Sequence, residues 1–167
     1  MKNIVLIGFM GSGKTSMGRF LSRELDYDFF DTDKEMEAAT GLKVNQIVKK
    51  YGKIRFASEE QLIVKKLSAM DNTVIATGGS FIDNEENIQT LKGCSTFVFL
   101  DVDDDIIIER LRRRKMRPFE EKGSLKELVP KIYGSRRPVY EKYADITVNT
   151  TDLTMEETAK EILERLQ

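Results

Sequence analysis

The chain has 167 residues, 40% hydrophobic and 33% charged, with 27 basic against 28 acidic side chains. That length suits one domain with a full core and is too short for two ordinary ones, and the balanced charge excludes a bulk field drawing the protein to nucleic acid. Histidine is absent and Cys94 is the single cysteine, which excludes an intrachain disulfide and leaves any catalytic base to a carboxylate or a perturbed Lys, Tyr or Cys. With no membrane-length apolar run and an N-terminus that leads directly into a strand, the chain is expected to be cytoplasmic, monomeric and without a membrane partner.

Asn3-Ile4-Val5-Leu6-Ile7 predicts a buried strand, and Met17, Phe20, Leu21 and Leu25 recur at helical spacing over 16–25. Between them Gly8-Phe9-Met10-Gly11-Ser12-Gly13-Lys14-Thr15 matches the phosphate-binding pattern G-x-x-x-x-G-K-[ST] in its required strand–loop–helix setting. Glycines in such a loop let successive N–H groups, here from Gly11 to Ser16, point at a di- or triphosphate. Lys14, read as an exposed loop lysine, would reach the β- and γ-phosphates, and the Thr15 hydroxyl would ligate Mg²⁺.

A second strand, 27–30, runs into Asp31-Thr32-Asp33. Asp33 is placed to orient or deprotonate a substrate hydroxyl and Asp31 to hold a Mg²⁺-bound water, while the plainer role for either is a helix N-cap. Helical patterns follow at about 34–39, 44–50 and 53–70, broken at Gly41 and Gly52, and a third strand, 73–77, enters Gly78-Gly79-Ser80. Those residues can offer backbone donors to a carboxylate or hydroxyl, or simply form a turn. A helix near 84–91, a strand at 96–100 and a charged helix near 104–114 come next. Asp101, at the end of that strand, suits a second metal anchor, but helix capping is the preferred reading. The basic run Arg110, Arg112, Arg113, Arg114, Lys115 and Arg117 enters an irregular stretch, 115–124, where Arg117 is suited to a lid that closes on transferring phosphate. Within a helix at about 125–142, Arg136 or Arg137 could fork a carboxylate, unless both merely decorate a surface helix end. A fifth strand, 145–148, and a helix, 154–166, complete an alternation that predicts an α/β fold around a parallel sheet, its site at the carboxyl ends of the strands.

Together these residues resemble the shikimate kinases, on Gly8 to Thr15, Phe30-Asp31-Thr32-Asp33, Gly52 with Phe56 and Glu60, Thr77-Gly78-Gly79, Arg117-Pro118, and Arg136 with Pro138 and Tyr140. The resemblance implies a three-layer α/β/α P-loop kinase fold, similar to the nucleoside monophosphate kinases, with strand order 2-3-1-4-5. It would be a single domain with a substrate-binding part at about 32–60 and a lid at about 112–124. The activity implied is ATP- and Mg²⁺-dependent phosphorylation of shikimate to shikimate 3-phosphate, in aromatic amino acid biosynthesis. Lys14, Asp33 and Arg117 would be catalytic, Thr15 and Asp31 would serve the metal, and Arg110, Arg117 and Leu153 would join the phosphate loop in binding ATP. Asp33, Ala57, Glu60, Gly78, Gly79, Ser80 and Arg136 would form the acceptor site.

Two positions depart from the family pattern. Ala57 stands where the family has an arginine that binds the shikimate carboxylate, and Ser80 where it usually has a third glycine. Arg55 cannot substitute, because two residues along a helix rotate a side chain by about 200° to the opposite face. Weakened acceptor binding is therefore expected, with Glu60 free to steady an arginine if one were placed at 57. The rival readings are a P-loop kinase for another small polyol or sugar acid, and a nucleotide-binding protein that has lost turnover.

Overall fold

The computed structural model describes residues 2–116 and 119–167. Five strands, β1 (Asn3–Ile7), β2 (Asp28–Asp31), β3 (Thr73–Ala76), β4 (Ser95–Asp101) and β5 (Ile146–Asn149), form one sheet in the order β2-β3-β1-β4-β5. All four pairings are parallel, and β1 at the centre pairs Leu6 with Ala76 on one side and Val98 on the other. This is the predicted strand order.

A parallel sheet needs both faces covered, which is why β1 is apolar from Ile4 to Ile7 and buried throughout. Its side chains alternate between two cores. Val5 and Ile7 join Phe9, Ile75, Phe97, Phe99 and residues of α2 (Thr32–Thr40), α3 (Val44–Ser68), α4 (Glu85–Lys92), α5 (Asp104–Arg113) and α6 (Leu125–Tyr143). Ile4 and Leu6 join Val74, Val98 and the apolar stripes of α1 (Lys14–Leu25) and α7 (Met155–Leu166). The result is three layers.

Most boundaries shift by one residue from those predicted, and three larger differences have a local cause. Helix α1 starts at Lys14, two residues early, because the phosphate loop itself supplies the first turn, with Gly13 as a left-handed N-cap at φ 91°. Helix α2 starts at Thr32, because the Asp31 side chain accepts from the backbone N–H groups of Asp33 and Lys34. The two predicted helices on either side of Gly52 form one run that bends there, where Gly52 takes the non-helical φ 82°, ψ 170°. Among the described residues no helix is long and apolar enough to cross a membrane.

Candidate active site

The phosphate loop, Asp31–Asp33 and Gly78–Ser80 meet at the carboxyl edge of β1, β2 and β3, where parallel strands end and helix N-termini begin. Lys14 is buried there, contrary to the expectation of an exposed loop lysine. Its Nζ donates to the carbonyls of Gly8 at 2.6 Å and Phe9 at 3.0 Å. Burial lowers its pKa to about 8 against the opposing pull of Asp33 and Asp31, and Arg136 adds to the lowering. An ammonium held in this way lacks a full charge partner, which suits it to an incoming phosphate.

Asp31 uses its two oxygens separately, and the capping role read from the sequence is one of its uses. One carboxylate oxygen caps α2, and the other accepts from the Thr15 hydroxyl at 2.9 Å. Its neighbour Asp33 lies in the first turn of α2 and is packed so closely over Gly78 that a Cβ there would overlap the Asp33 carboxylate. The Gly78 N–H is in turn held by the Thr32 hydroxyl at 2.8 Å. Burial first, and the adjacent Asp31 second, raise Asp33 to about 6. Such a carboxylate is basic enough to accept a hydroxyl proton near neutral pH.

Of the two arginines on α6, only Arg136 faces this edge. Its guanidinium donates to the Gly79 carbonyl at 2.8 Å and reaches Asp83 at 3.4 Å. Arg137 instead binds Asp101 at 3.2 Å and Asp104 at 3.3 Å, and stacks 4.0 Å from the Tyr133 ring centroid. Both lie inside α6, so neither is at a helix end. Asp101 also differs from its predicted capping role: it accepts a 2.5 Å bond from the Tyr133 hydroxyl, and Asp103 is the N-cap position of α5. Nothing short of the tertiary fold could show this, since Tyr133 and Asp101 are 32 residues apart and Tyr133 reads as a core residue of α6.

On the opposite side of the loop, Gly11, Ser12, Gly13, Ser16, Arg110 and Leu153 line a cavity of about 200 Å³. Arg110 donates to the Gly11 carbonyl at 2.9 Å, and burial followed by the nearby Arg114 and Arg113 holds it below the ordinary arginine value. The cavity is short of anions and open to a polyphosphate. Arg114, Thr150, Thr154 and Thr158 also line it and were missed. For Thr154 a signal existed: Thr154-x-x-Glu157 before an apolar run is a capping pattern, and the Thr154 side chain does accept from the Glu157 N–H. Arg117 lies outside the described residues.

Ala57, on α3, is half-buried and places no polar group in the site, and Arg55 pairs outward with Glu59 at 2.9 Å. One turn on, Glu60 is only 2% exposed. It is not free, as the sequence had suggested: the Ser80 hydroxyl donates to one of its oxygens and the Asn87 amide to the other, each at 3.1 Å. Asn87 was also missed, although a polar residue four positions from Leu91 on the core face of α4 could have been a signal. Burial raises Glu60 to about 7, with the two neutral donors opposing and Asp33 and Asp83 adding to the rise.

Because the folded-state pKa of Glu60 is raised, its contribution to stability is fully present below about pH 4.5 and is lost as pH rises through about 7. Glu60→Gln removes that penalty. Relative to the parent, the variant should gain on the order of 3 kcal/mol between pH 5 and pH 8. Thermal denaturation at the two pH values checks this, at roughly 2–4 °C per kcal/mol for a domain of this size. An unchanged difference in Tm between the two pH values would mean that Glu60 is ionised throughout.

A five-stranded parallel sheet in this order, a phosphate loop at its centre and an acidic, arginine-bounded pocket beside it define a P-loop kinase that acts on a small molecule. Residues 10–167 match the family model for shikimate kinase. The shikimate kinase of Pelotomaculum thermopropionicum is 41% identical over the full chain and 96% of its own length. A crystal structure of the Aquifex aeolicus enzyme superposes with a TM-score of 0.84 at 40% identity, covering 98% of this chain and 95% of that one. The Acinetobacter baumannii shikimate kinase in complex with shikimate superposes with a TM-score of 0.90 at 31% identity, covering 99% and 93%. The chain belongs to the shikimate kinase family.

Proposed function

We propose that the chain transfers the γ-phosphate of ATP to a hydroxyl of shikimate, with Asp33 as the acceptor-side catalytic group and Lys14 as the phosphate-side one. The observation that carries this reading is their convergence: the Lys14 ammonium and the Asp33 carboxylate interact across one buried edge, with Gly78 giving way beneath Asp33. Phosphoryl transfer asks mainly for positioning and for stabilisation of charge, and this edge supplies both. Asp33 would accept the hydroxyl proton and aim its oxygen at the phosphorus, and Lys14 would exchange the Gly8 and Phe9 carbonyls for phosphate oxygens. Gly11 to Ser16 would cradle the phosphates, and Arg110 and Leu153 would border the nucleotide on the far side.

The Thr15 hydroxyl and the Asp31 carboxylate, already in contact, are hard oxygen donors that fit Mg²⁺ directly or through water. When bound, the ion would neutralise phosphate charge. Asp31 would be held ready by its capping bonds to Asp33 and Lys34. We further assign 32–60 to the acceptor-binding part and 112–124 to a lid that includes Arg117. Phe119 supports the lid, since its ring stacks on Phe9 of the phosphate loop at 6.0 Å. A reducing cytoplasmic setting, with the chain acting alone, fits the lone thiol of Cys94.

With Ala57 contributing no charge, Arg136 is the arginine poised for the acceptor carboxylate. One charge-assisted fork in a partly desolvated site is worth about 2–4 kcal/mol. Arg136→Ala should therefore raise the KM for shikimate roughly 30- to 700-fold, at about 1.4 kcal/mol per tenfold, with the KM for ATP nearly unchanged. A coupled ATPase assay with and without shikimate tests the function itself. Turnover only with another polyol or sugar acid would move the acceptor, and nucleotide binding without turnover would remove the kinase activity. Family membership tells against both rivals.

A further inference from the structure

We propose that Ser80 is a specificity-determining residue whose hydroxyl hydrogen is offered to the acceptor only when Glu60, acting as a positioning residue behind it, carries a proton. This rests on the reading of shikimate as acceptor and adds a proton-linked control of its binding.

Glu60 is buried behind Ser80, and its two oxygens are held by one neutral donor each, Ser80 Oγ and Asn87 Nδ2. Among the described residues, the elements packed on it bring no compensating cation. Asp33 from α2 and Asp83 from the 3-10 turn (Phe81–Asp83) are both anionic, and α4 contributes the neutral Asn87. On α3 itself Glu59 is turned outward to Arg55, while Arg136 of α6 is engaged by Gly79 and Asp83. A carboxylate in this setting takes up a proton near neutral pH, in keeping with its raised value of about 7.

A serine hydroxyl has one hydrogen and can either give it to Glu60 or give it elsewhere while accepting. With Glu60 ionised, the carboxylate can only accept, so the Ser80 hydrogen is committed to it. Because Asn87 already donates to Oε1, the added proton belongs on Oε2, the oxygen that faces Ser80. The protonated acid then donates to Ser80 Oγ, and the Ser80 hydrogen turns to an acceptor oxygen. Ser80 adjoins Gly79, whose carbonyl holds Arg136, so that freed donor and the guanidinium border the same space. Removal of the Glu60 charge also relieves its repulsion of a carboxylate-bearing acceptor, so both effects favour binding at lower pH.

The test is the KM for shikimate between pH 6 and 8.5 at saturating ATP. The shikimate carboxylate stays ionised over this range, whereas Asp33 and Lys14 also titrate within it and Asp33 feels the Glu60 charge, so the readout is the difference between the profiles of the variants. For the parent, binding linked to one proton raises KM at most tenfold per pH unit, roughly 30-fold across the range. Glu60→Gln should lose most of this rise, keeping only the slope that Asp33 and Lys14 contribute. Ser80→Ala should have a raised KM at pH 6 that converges on the parent at pH 8.5, and Ser80→Thr, which keeps the hydroxyl, should restore the parent profile. An unchanged KM for ATP verifies the fold of each variant. A parent that fails to phosphorylate shikimate at any pH overturns the proposed function. A parent that works, with Glu60→Gln rising in parallel, overturns the proton link, and a Ser80→Ala variant that keeps the full parent rise overturns the assignment to Ser80.

Discussion

Asp33→Asn should lower kcat by about 10²–10⁴ while leaving ATP affinity nearly intact. The substitution preserves shape, so the amide still fits over Gly78, where the close approach leaves no room for a Cβ. What is lost is the ability to accept a proton, a property that burial and the neighbouring Asp31 have strengthened by raising the carboxylate to about 6. Single-turnover kinetics with separate titrations of ATP and shikimate distinguish the outcomes. An equal loss of nucleotide affinity would make Asp33 a metal-site residue, and unchanged kinetics would reduce it to a helix-terminal charge on α2.

Lys14→Ala should cost roughly 10²–10³ in turnover, the usual effect of removing one pre-organised donor from a site of developing charge. Unlike an exposed lysine, it also has a structural part. Its Nζ donates to the Gly8 and Phe9 carbonyls, and although Phe9 keeps the Ser12 N–H as a donor, loss of the donor to the buried Gly8 carbonyl costs about 1–3 kcal/mol. Loss of a desolvated charge offsets part of this. The variant should therefore remain folded with a modestly lower Tm, so that thermal unfolding separates the structural cost from the catalytic one. Turnover within threefold of the parent would rule out the phosphate-loop assignment.

The phosphate loop and central strand were legible because their chemistry is local. Eight consecutive residues carry the anion-binding pattern, and an uninterrupted apolar run such as Ile4 to Ile7 is what a strand covered on both faces requires. Asp31 and Asp33 are legible as a pair, but the sequence leaves cap and site as alternatives, and the fold shows that one Asp31 oxygen caps α2 while the other accepts from the Thr15 hydroxyl. Capping is the local rule for an aspartate before a helix, and Asp101 departs from it. A tyrosine and an arginine from α6 make it a bridge between β4 and that helix.

By itself the sequence determined the fold class, the phosphate-loop motif and the family, since periodicity and short motifs are properties of neighbours along the chain. It also isolated Ala57 and Ser80 as departures. Only the tertiary structure decided what surrounds them. Glu60 and Ser80 lie 20 residues apart on different elements, and which donor meets a buried carboxylate depends on how α3, α4 and the β3 edge pack against each other. The same holds for Lys14, whose burial follows from the walls built around it, and for the choice of Arg136 over Arg137, which the rotation of α6 against the sheet determines.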